Sequence, residues 1–249
     1  PVVNLVIMTL IVVGGIGFFT WLDIKENKWH IKKYRLQSKV VLGVSAFLIL
    51  VPAIMFFFLE FQHMPLGERL WSSFFQSVTT RTAGFNTADL DKMTDSGKMG
   101  MVLLMVIGGS PGSTAGGMKT TTAAVLFAMA ISVFRKNEQA HLYNRRIAEE
   151  TQRNAATIFV LYMMLFTGSA MVISYVEKVP LVTAFFETGS AIGTVGLSLG
   201  LTPTLGLASR LVLICLMFFG RVGGLTLIFA TVSGKRTEYK YPQEKITVG

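Results

Sequence analysis

Long apolar stretches constrain this chain more than any other feature. A membrane-spanning helix needs about 20 apolar residues, and four ranges reach that length: 2–22, 40–59, 155–176 and 205–232. The remaining stretch, 99–134, would form a helix of about 54 Å, well beyond a hydrocarbon core of about 30 Å. The sequence therefore predicts an all-α integral membrane protein, with an interruption inside the range 99–134.

The composition excludes most classes of soluble protein. Hydrophobic residues make up 51% of the chain and charged residues 15%, whereas soluble domains carry about 25% charged residues. The net charge of +9 is divided among short segments between the apolar stretches, so we expect no nucleic-acid partner. Cys215 is the only cysteine, which excludes a disulfide framework. Because it lies within an apolar stretch, we expect it to be buried.

The polar connections predict how the chain is oriented in the membrane. Range 23–39 carries six Lys and Arg against two acids, 135–153 carries five against three, and 235–245 carries four against two. The positive-inside rule places these ranges, and with them the C-terminus, in the cytoplasm. Ranges 66–88 and 180–201 are too short and polar to span, yet too apolar for solvated loops. We therefore expect two re-entrant hairpins that enter from outside.

An internal repeat relates the two re-entrant ranges. FFQS at 74–77 aligns with FFET at 185–188, and TAGFN at 82–86 aligns with TVGLS at 194–198. The order of elements is the same in both copies: span, short helix, Thr-x-Gly turn, span. The spans after the turns also correspond, in the strings VIGG (106–109), FFGR (218–221) and, from an earlier unit, VVGG (12–15). Two tandem units and the closing span of a third are therefore predicted.

Each Thr-x-Gly turn follows a short helix that ends within the membrane. Glycine permits backbone angles that let successive carbonyls point to one side, and rings of carbonyls can replace the hydration shell of an alkali cation. The C-terminal end of each short helix carries partial negative charge, which favours a cation there. Neither turn contains a carboxylate, so a monovalent ion is favoured over a divalent one. The alternative is a pair of membrane loops with glycines that serve only for packing.

Range 108–117 interrupts the over-long third stretch. It is rich in Gly and Ser and contains Pro111, which disfavours a continuous helix. The alternative is a close-packed helix face, since Gly108, Gly112 and Gly116 recur every four residues. Arg221 lies in the middle of the last stretch. A charge at that depth costs at least about 2.5–3.5 kcal/mol, so the side chain should face protein or water unless it extends to the cytoplasmic surface.

These motifs resemble the Trk/Ktr/HKT superfamily of potassium transporters. TTRTAGFNT at 79–87 and IGTVGLSLG at 192–200 are similar to its third and fourth filter sequences. GGSPGSTAGGMKT at 108–120 and FFGRVGGLT at 218–226 are similar to its third and fourth inner helices. The chain most resembles the KtrB-type membrane subunits of bacterial Ktr systems, and the resemblance covers essentially its whole length. It implies the last two of four repeats around one pore, with the missing part before residue 1.

The resemblance also implies roles for individual residues. Potassium would be held only by backbone carbonyls of the selectivity filter, formed by Thr82, Ala83, Gly84, Phe85, Thr194, Val195, Gly196 and Leu197. An intramembrane gate loop would contain Gly108, Gly109, Ser110, Gly112, Ser113, Thr114, Gly116 and Gly117. Arg221 would raise the barrier to cations beneath the filter. For Arg81 and Asn86, support of the turn and contact with the ion are equally open, and Glu187 is interpreted as a structural hydrogen-bonding group.

The domain organisation follows from the repeat and the resemblance together. We expect the inner helix of a second repeat over 1–22, a cytoplasmic linker over 23–39, the third repeat over 40–134, a linker over 135–153, the fourth repeat over 154–233 and a cytoplasmic tail over 234–249. The resemblance implies a homodimer in the plasma membrane, surrounded by lipid. It also implies a cytosolic ring of nucleotide-binding regulators of the RCK/KTN (KtrA-like) type.

Other functions predict features that differ from these. The sequence has no glycine loop for a nucleotide and no catalytic triad, so we expect neither a bound nucleotide nor an enzyme. A conventional tetrameric potassium channel predicts one hairpin per chain, and a non-conducting membrane scaffold would make the turns purely structural. Whether sodium is required or co-transported is left open.

Overall fold

The structure is a computed structural model that describes residues 2–28, 30–137, 139–224 and 226. Within them the chain is mainly helical, which confirms the predicted all-α class. The helices are α1 (Val2–Gly15), α2 (Phe18–Asn27), α3 (Leu36–Leu59), α4 (Leu66–Thr79), α5 (Asp95–Val106), α6 (Thr120–Phe134), α7 (Glu149–Glu177), α8 (Leu181–Ile192) and α9 (Leu207–Val222). Short 3-10 turns lie at Ile31–Lys33 and Thr202–Thr204, and an antiparallel hairpin joins β1 (His141–Leu142) to β2 (Arg145–Arg146).

Two helices, α3 and α7, are long and apolar enough to cross a membrane on their own. Helices α1 and α2 satisfy the same test only as a pair, and they meet at 92°. The predicted span over 2–22 is therefore bent rather than continuous. The bend lies at Gly17, whose φ is 81° and where a Cβ would overlap the carbonyl oxygen of Pro111. Hydropathy gives no signal for this close approach of two backbones.

The third apolar stretch is broken, as its length predicted. Helix α5 ends at Val106 and α6 begins at Thr120, and the segment between them is held by an isolated parallel bridge between Ile107 and Met118. Gly108, Gly112 and Gly116 lie in this non-helical segment. The alternative interpretation, a continuous helix with a glycine face, is therefore wrong.

The two short helices lie where the repeat predicted them. Helix α4 packs against α1 and α3, whereas α8 packs against α5, α7 and α9. Helix α8 is the centre of the main apolar core, and Ala184, Phe186 and Ile192 on it are fully buried. Because α8 is enclosed by three other helices, the turn that follows it begins from a fixed position.

The predicted linker 135–153 and the last span differ from expectation. Helix α7 begins at Glu149, inside the predicted linker 135–153, and the β-hairpin occupies part of the rest. Ala140 and Ile147 are buried beside this hairpin, against α6 and α7. Helix α9 ends at Val222, and the end of the predicted fifth span and the cationic tail lie outside the described residues.

Cys215 is exposed rather than buried, so that expectation is wrong. The buried face of α9 is formed by Ser209, Leu213, Leu216 and Gly220. Their spacing of three to four residues marks one side of a helix, and Cys215 lies away from it. An apolar stretch in a membrane protein has an outward face as well as a buried one, and the sequence did not distinguish them.

Candidate functional site

The two Thr-x-Gly turns have the same backbone conformation. Thr82 and Gly84 have φ values of 60° and 75°, and Thr194 and Gly196 have 51° and 94°. The residue between them has an ordinary negative φ in each copy. Left-handed angles are uncommon for threonine and cost about 1–3 kcal/mol when the surroundings enforce them. Their recurrence at equivalent positions identifies the turns as one built feature that occurs twice.

The turns also contact each other. A Cβ placed on Gly84 would overlap the carbonyl oxygen of Val195 and would lie 3.3 Å from the carbonyl carbon of Gly196. No such neighbour surrounds Gly196, where a Cβ would meet open space. The two predicted filter segments, far apart in sequence, are therefore brought together by the fold. Only glycine fits at position 84, for both conformational and steric reasons.

A hydroxyl residue at the end of each short helix braces its turn. The Thr79 hydroxyl donates to the Phe85 carbonyl at 2.5 Å, and the Thr79 carbonyl accepts from Ala83 N–H at 3.2 Å. In the second unit, Ser190 accepts at its carbonyl from Val195 N–H at 2.8 Å and at its hydroxyl from Gly196 N–H at 3.0 Å. The first brace therefore constrains a carbonyl of the turn and the second an amide.

A second layer of contacts holds the chain that leaves each turn. Buried Glu187 accepts three hydrogen bonds, from the Ser198 hydroxyl at 2.6 Å, Leu199 N–H at 3.0 Å and the Thr202 hydroxyl at 2.6 Å. The equivalent Gln76 donates to Asn86 at 3.4 Å. Its own amide oxygen is buried without a partner in the described part of the chain.

The polar side chains beside the turns hold the structure together rather than point to a separate binding role. Glu187 acts as a hydrogen-bonding group, as interpreted from the sequence. Asn86 accepts from Gln76 and from Ala88 N–H at 3.1 Å, so it supports the chain after the turn. Arg81 is buried and donates to the Ser45 hydroxyl on α3 at 3.0 Å. All three side chains are engaged by other groups of the protein, which leaves backbone carbonyls as the chemistry offered by the turns.

Side chains of the two turns have different surroundings. Val195 and Leu197 are buried in the main core, whereas Phe85 is 55% exposed. Neither turn carries a charged side chain. A cation at the turns would therefore meet backbone carbonyls and the C-terminal ends of α4 and α8, which both carry partial negative charge.

The segment 107–119 is fixed to the ends of two other helices. Ser110 N–H donates to the Gly15 carbonyl at the end of α1, and Gly117 N–H donates to the Gly220 carbonyl on α9, both at 3.0 Å. Phe18 N–H, at the start of α2, donates in return to the Gly112 carbonyl at 3.1 Å. Backbone groups near the ends of α1, α2 and α9 therefore meet at this segment and satisfy one another there.

The same segment touches the second turn directly. A Cβ on Gly116 would overlap the Thr194 hydroxyl, and one on Gly117 would lie 3.3 Å from the Cα of Gly193. The Thr194 hydroxyl is buried and has no partner among the described residues. The predicted gate residues are therefore adjacent to the predicted filter, and the glycines allow this approach.

Two cationic side chains donate hydrogen bonds to carbonyls of the segment, one from α9 and one from the end of the segment itself. Arg221 donates through Nη1 to the Thr114 carbonyl at 2.5 Å, and Lys119 donates through Nζ to the Ala115 carbonyl at 2.6 Å. Arg221 is otherwise exposed, so its expected position facing protein or water at membrane depth stays a prediction. The hydrogen-bond acceptor for Arg221 is a backbone carbonyl of the predicted gate. In the described part of the chain, no carboxylate forms an ion pair with Arg221.

Sequence reasoning missed several residues that shape this site. Thr79 and Ser190 are related by the same offset as the aligned helices, so extending the alignment by two residues would have identified the braces. Gly17 and Gly223, with φ of 81° and 86°, stand at equivalent places after α1 and α9. Each follows one of the three aligned strings, VVGG and FFGR. Because an interruption was predicted after the other string, VIGG, helix breaks after these two could have been predicted as well.

Comparison with known proteins identifies what the fold resembles. The family model for TrkH, described as a cation transport protein, matches residues 1–239. The potassium/sodium uptake protein NtpJ of Enterococcus hirae is 41% identical over 98% of this chain and 57% of its own length. The Ktr system potassium uptake protein B of Bacillus subtilis is 34% identical over 100% of this chain and 57% of its own length.

A solved structure resembles this one. The potassium transporter TrkH from Vibrio parahaemolyticus superimposes with a TM-score of 0.75 and 17% identity, over 92% of this chain and 52% of that chain. At this identity the likeness concerns the fold. The chain thus spans little more than half the length of the proteins it matches.

Proposed function

Because the chain belongs to the TrkH family of cation transport proteins, we propose that it forms half of a potassium-conducting pore in a cell membrane. The proposal concerns potassium uptake, the activity in the names of its relatives. Its two units would be the last two of four around the pore. The potassium ion would pass by channel-like permeation through a ring of carbonyls that this chain completes only in part.

The observation that carries the proposal is the pair of matched turns. Each follows a short helix whose C-terminal end is directed to the turn, each combines a left-handed threonine with a left-handed glycine, and the two are in contact. Backbone carbonyls at such a place replace water around a monovalent cation without a fixed charge. Two unequal turns within one chain also disfavour the conventional tetrameric channel, which would use identical ones.

The contacts of the segment 107–119 support the proposed gate and barrier. The loop lies against Thr194 and accepts one hydrogen bond from Arg221. Closure would keep the loop below the filter, and opening would withdraw it. The Arg221 charge would disfavour cations while it remains close to the pore.

Orientation and partners are part of the same proposal. The basic linkers would face the cytoplasm, together with the C-terminus, since positive charge concentrates there. Two copies of the membrane subunit would assemble, and a ring of nucleotide-binding regulators would contact the cytoplasmic face. Sodium would be a second ion of the system, as in the name of one relative, acting as an activating or co-transported ion.

Potassium uptake by the four-repeat protein proposed to contain this chain tests the proposal. The host cells would lack their own potassium uptake systems, and growth would be measured at low potassium. We expect rescue by the wild type, weaker rescue with Gly196→Ser and ungated flux after deletion within 108–117. Gly200→Ser is the matched control, since Gly200 also has a positive φ of 80° in open space but lies outside the turn. Equal rescue by all variants would mean that the turns are scaffolding.

A further inference from the structure

A cavity of about 610 Å³ lies between α3 and α6. Its inner wall is made by small residues, Gly43 on α3 and Ala123, Ala124 and Ala128 on α6. Small side chains usually let two membrane helices approach closely. Here they leave an open groove instead, because the outward neighbours on both helices are large.

Large apolar side chains border the groove on its outer side. Phe47, Phe127 and Ile131 are 61%, 66% and 50% exposed and all line it. On the proposal that this face of the chain meets the membrane, the groove is open to acyl chains rather than to water. From Ala123 to Arg135, α6 rises about 18 Å at 1.5 Å per residue. This length is close to one leaflet of the hydrocarbon core, about 15 Å.

One end of the groove is polar and cationic. Arg135, Asn137, His141 and Tyr143 line it there, and no acidic side chain is among the described residues that do. The opposite end reaches Leu48 and Ile107, deep in the apolar core. The groove is therefore amphiphilic along its length, with hydrogen-bond donors and a positive charge confined to one end.

The β-hairpin holds Tyr143 at this polar end. Tyr143 and Asn144 form its tip with φ of 47° and 59°, a conformation in which asparagine and glycine are usual and tyrosine is not. The Tyr143 hydroxyl donates to the Lys39 carbonyl at 3.4 Å. A Cβ on Gly43 would lie 2.9 Å from that hydroxyl. A strained tyrosine that fits only above a glycine indicates a specific position rather than a free loop tip.

We propose that this groove binds one anionic phospholipid. An acyl chain lies along the alanine-lined wall, and the phosphate accepts hydrogen bonds from Arg135. The lipid belongs to the cytoplasmic leaflet, where the proposed topology places residues 135–153 and where anionic lipids attract nearby basic residues. The inference is independent of the ion that the pore conducts.

Native mass spectrometry of the four-repeat protein provides the test. Phosphatidylglycerol and phosphatidylethanolamine with identical acyl chains would be titrated into detergent-solubilised protein, and bound lipids counted. We expect Arg135→Gln to weaken binding of one phosphatidylglycerol about fivefold, the change expected for loss of one cation near the head group. Phosphatidylethanolamine binding should hardly change. Arg153→Gln, which removes an exposed arginine of the same linker outside the groove, is the control and should bind like the wild type.

A second variant separates the acyl groove from the head-group contacts. Ile131→Trp would fill the groove from an exposed position, so it should remove one bound lipid of either kind without affecting the core. Equal binding of both lipids by the wild type, or unchanged binding by both variants, would overturn the proposal. So would disulfide-linked dimers of Phe127→Cys in a Cys215→Ala background, because a second copy would then cover the groove.

Discussion

The two repeat units carry the same turn on different supports. In the second unit, the carboxyl group of Glu187 accepts three hydrogen bonds of 2.6–3.0 Å from the chain after the turn, and Leu197 is buried. In the first, Gln76 makes one long contact to Asn86, and Phe85 is exposed. The backbone angles of the turns nevertheless agree in sign at both paired positions. Turn geometry is thus held constant, while the surrounding bonds vary.

The units also contribute differently to the region beneath the turns. In the first unit, α5 is followed by the long non-helical segment 107–119. In the second unit, α9 continues to Val222 and carries Arg221. The two contributions meet at the Thr114 and Gly220 carbonyls. This division of roles suits a single chain with unequal repeats, since four identical subunits would each supply the same part.

The largest expected effect on potassium uptake comes from substitution of the two turn glycines, which should respond differently. Gly84→Ser introduces a side chain where the Val195 carbonyl already lies, at a φ of 75°, whereas Gly196→Ser meets only the strain of a φ of 94°. We expect Gly84→Ser to abolish potassium uptake at low external potassium. Gly196→Ser should lower apparent potassium affinity by about tenfold, from strain of about 1–3 kcal/mol. Uptake assays over a range of potassium concentrations measure both.

A loss of uptake with Gly196→Ser as large as that with Gly84→Ser, or larger, would contradict the comparison between the two turns. If Gly196→Ser were as damaging as Gly84→Ser, the contact between the turns would not limit function. Equal expression of both proteins in the membrane, checked by immunoblot, excludes a folding defect as the cause of any difference.

The supporting bonds should give a smaller, graded effect. Ser198→Ala removes a donor from the buried Glu187 carboxylate, and hydrogen bonds to charged groups are worth about 1.5–3 kcal/mol. Asn86→Ala at the equivalent position removes weaker neutral contacts, worth about 0.5–1.5 kcal/mol. We therefore expect a lower thermal unfolding temperature for Ser198→Ala than for Asn86→Ala in the purified four-repeat protein. Equal temperatures would mean that the Glu187 network contributes no more than its neutral counterpart.

Hydropathy and the repeat together predicted much of this architecture. The short helices, the break after Val106 and the pairing of the two turns follow from apolar lengths and matching strings. Those signals are local. The 92° bend at Gly17 and the exposure of Cys215 depend on which backbone or lipid surface lies opposite, so a single apolar string cannot encode them.

Other parts of the site could not be predicted for a related reason. The Gly116 contact with Thr194 joins residues from different units, and the β-hairpin is formed by only two residues on each strand. Neither leaves a periodic pattern. The Thr79 and Ser190 braces, by contrast, lay within reach of the alignment, because both stand at the same distance after the matched Phe-Phe pairs.

The smallest effect is expected from loss of the contact between Arg221 and the segment 107–119. Arg221→Gln removes the hydrogen bond to the Thr114 carbonyl together with the charge. Loss of one bond of about 1 kcal/mol shifts a closed–open equilibrium about fivefold, so resting potassium flux should rise by about that factor. Arg210→Gln is the matched control, since Arg210 on the same helix is also exposed and donates to a backbone carbonyl, that of Pro203 at 2.9 Å, which lies outside the segment 107–119. Rubidium flux into proteoliposomes without regulatory subunits measures the change. A rise with both variants would mean that general loosening of α9, rather than the contact between the two units, controls the resting flux.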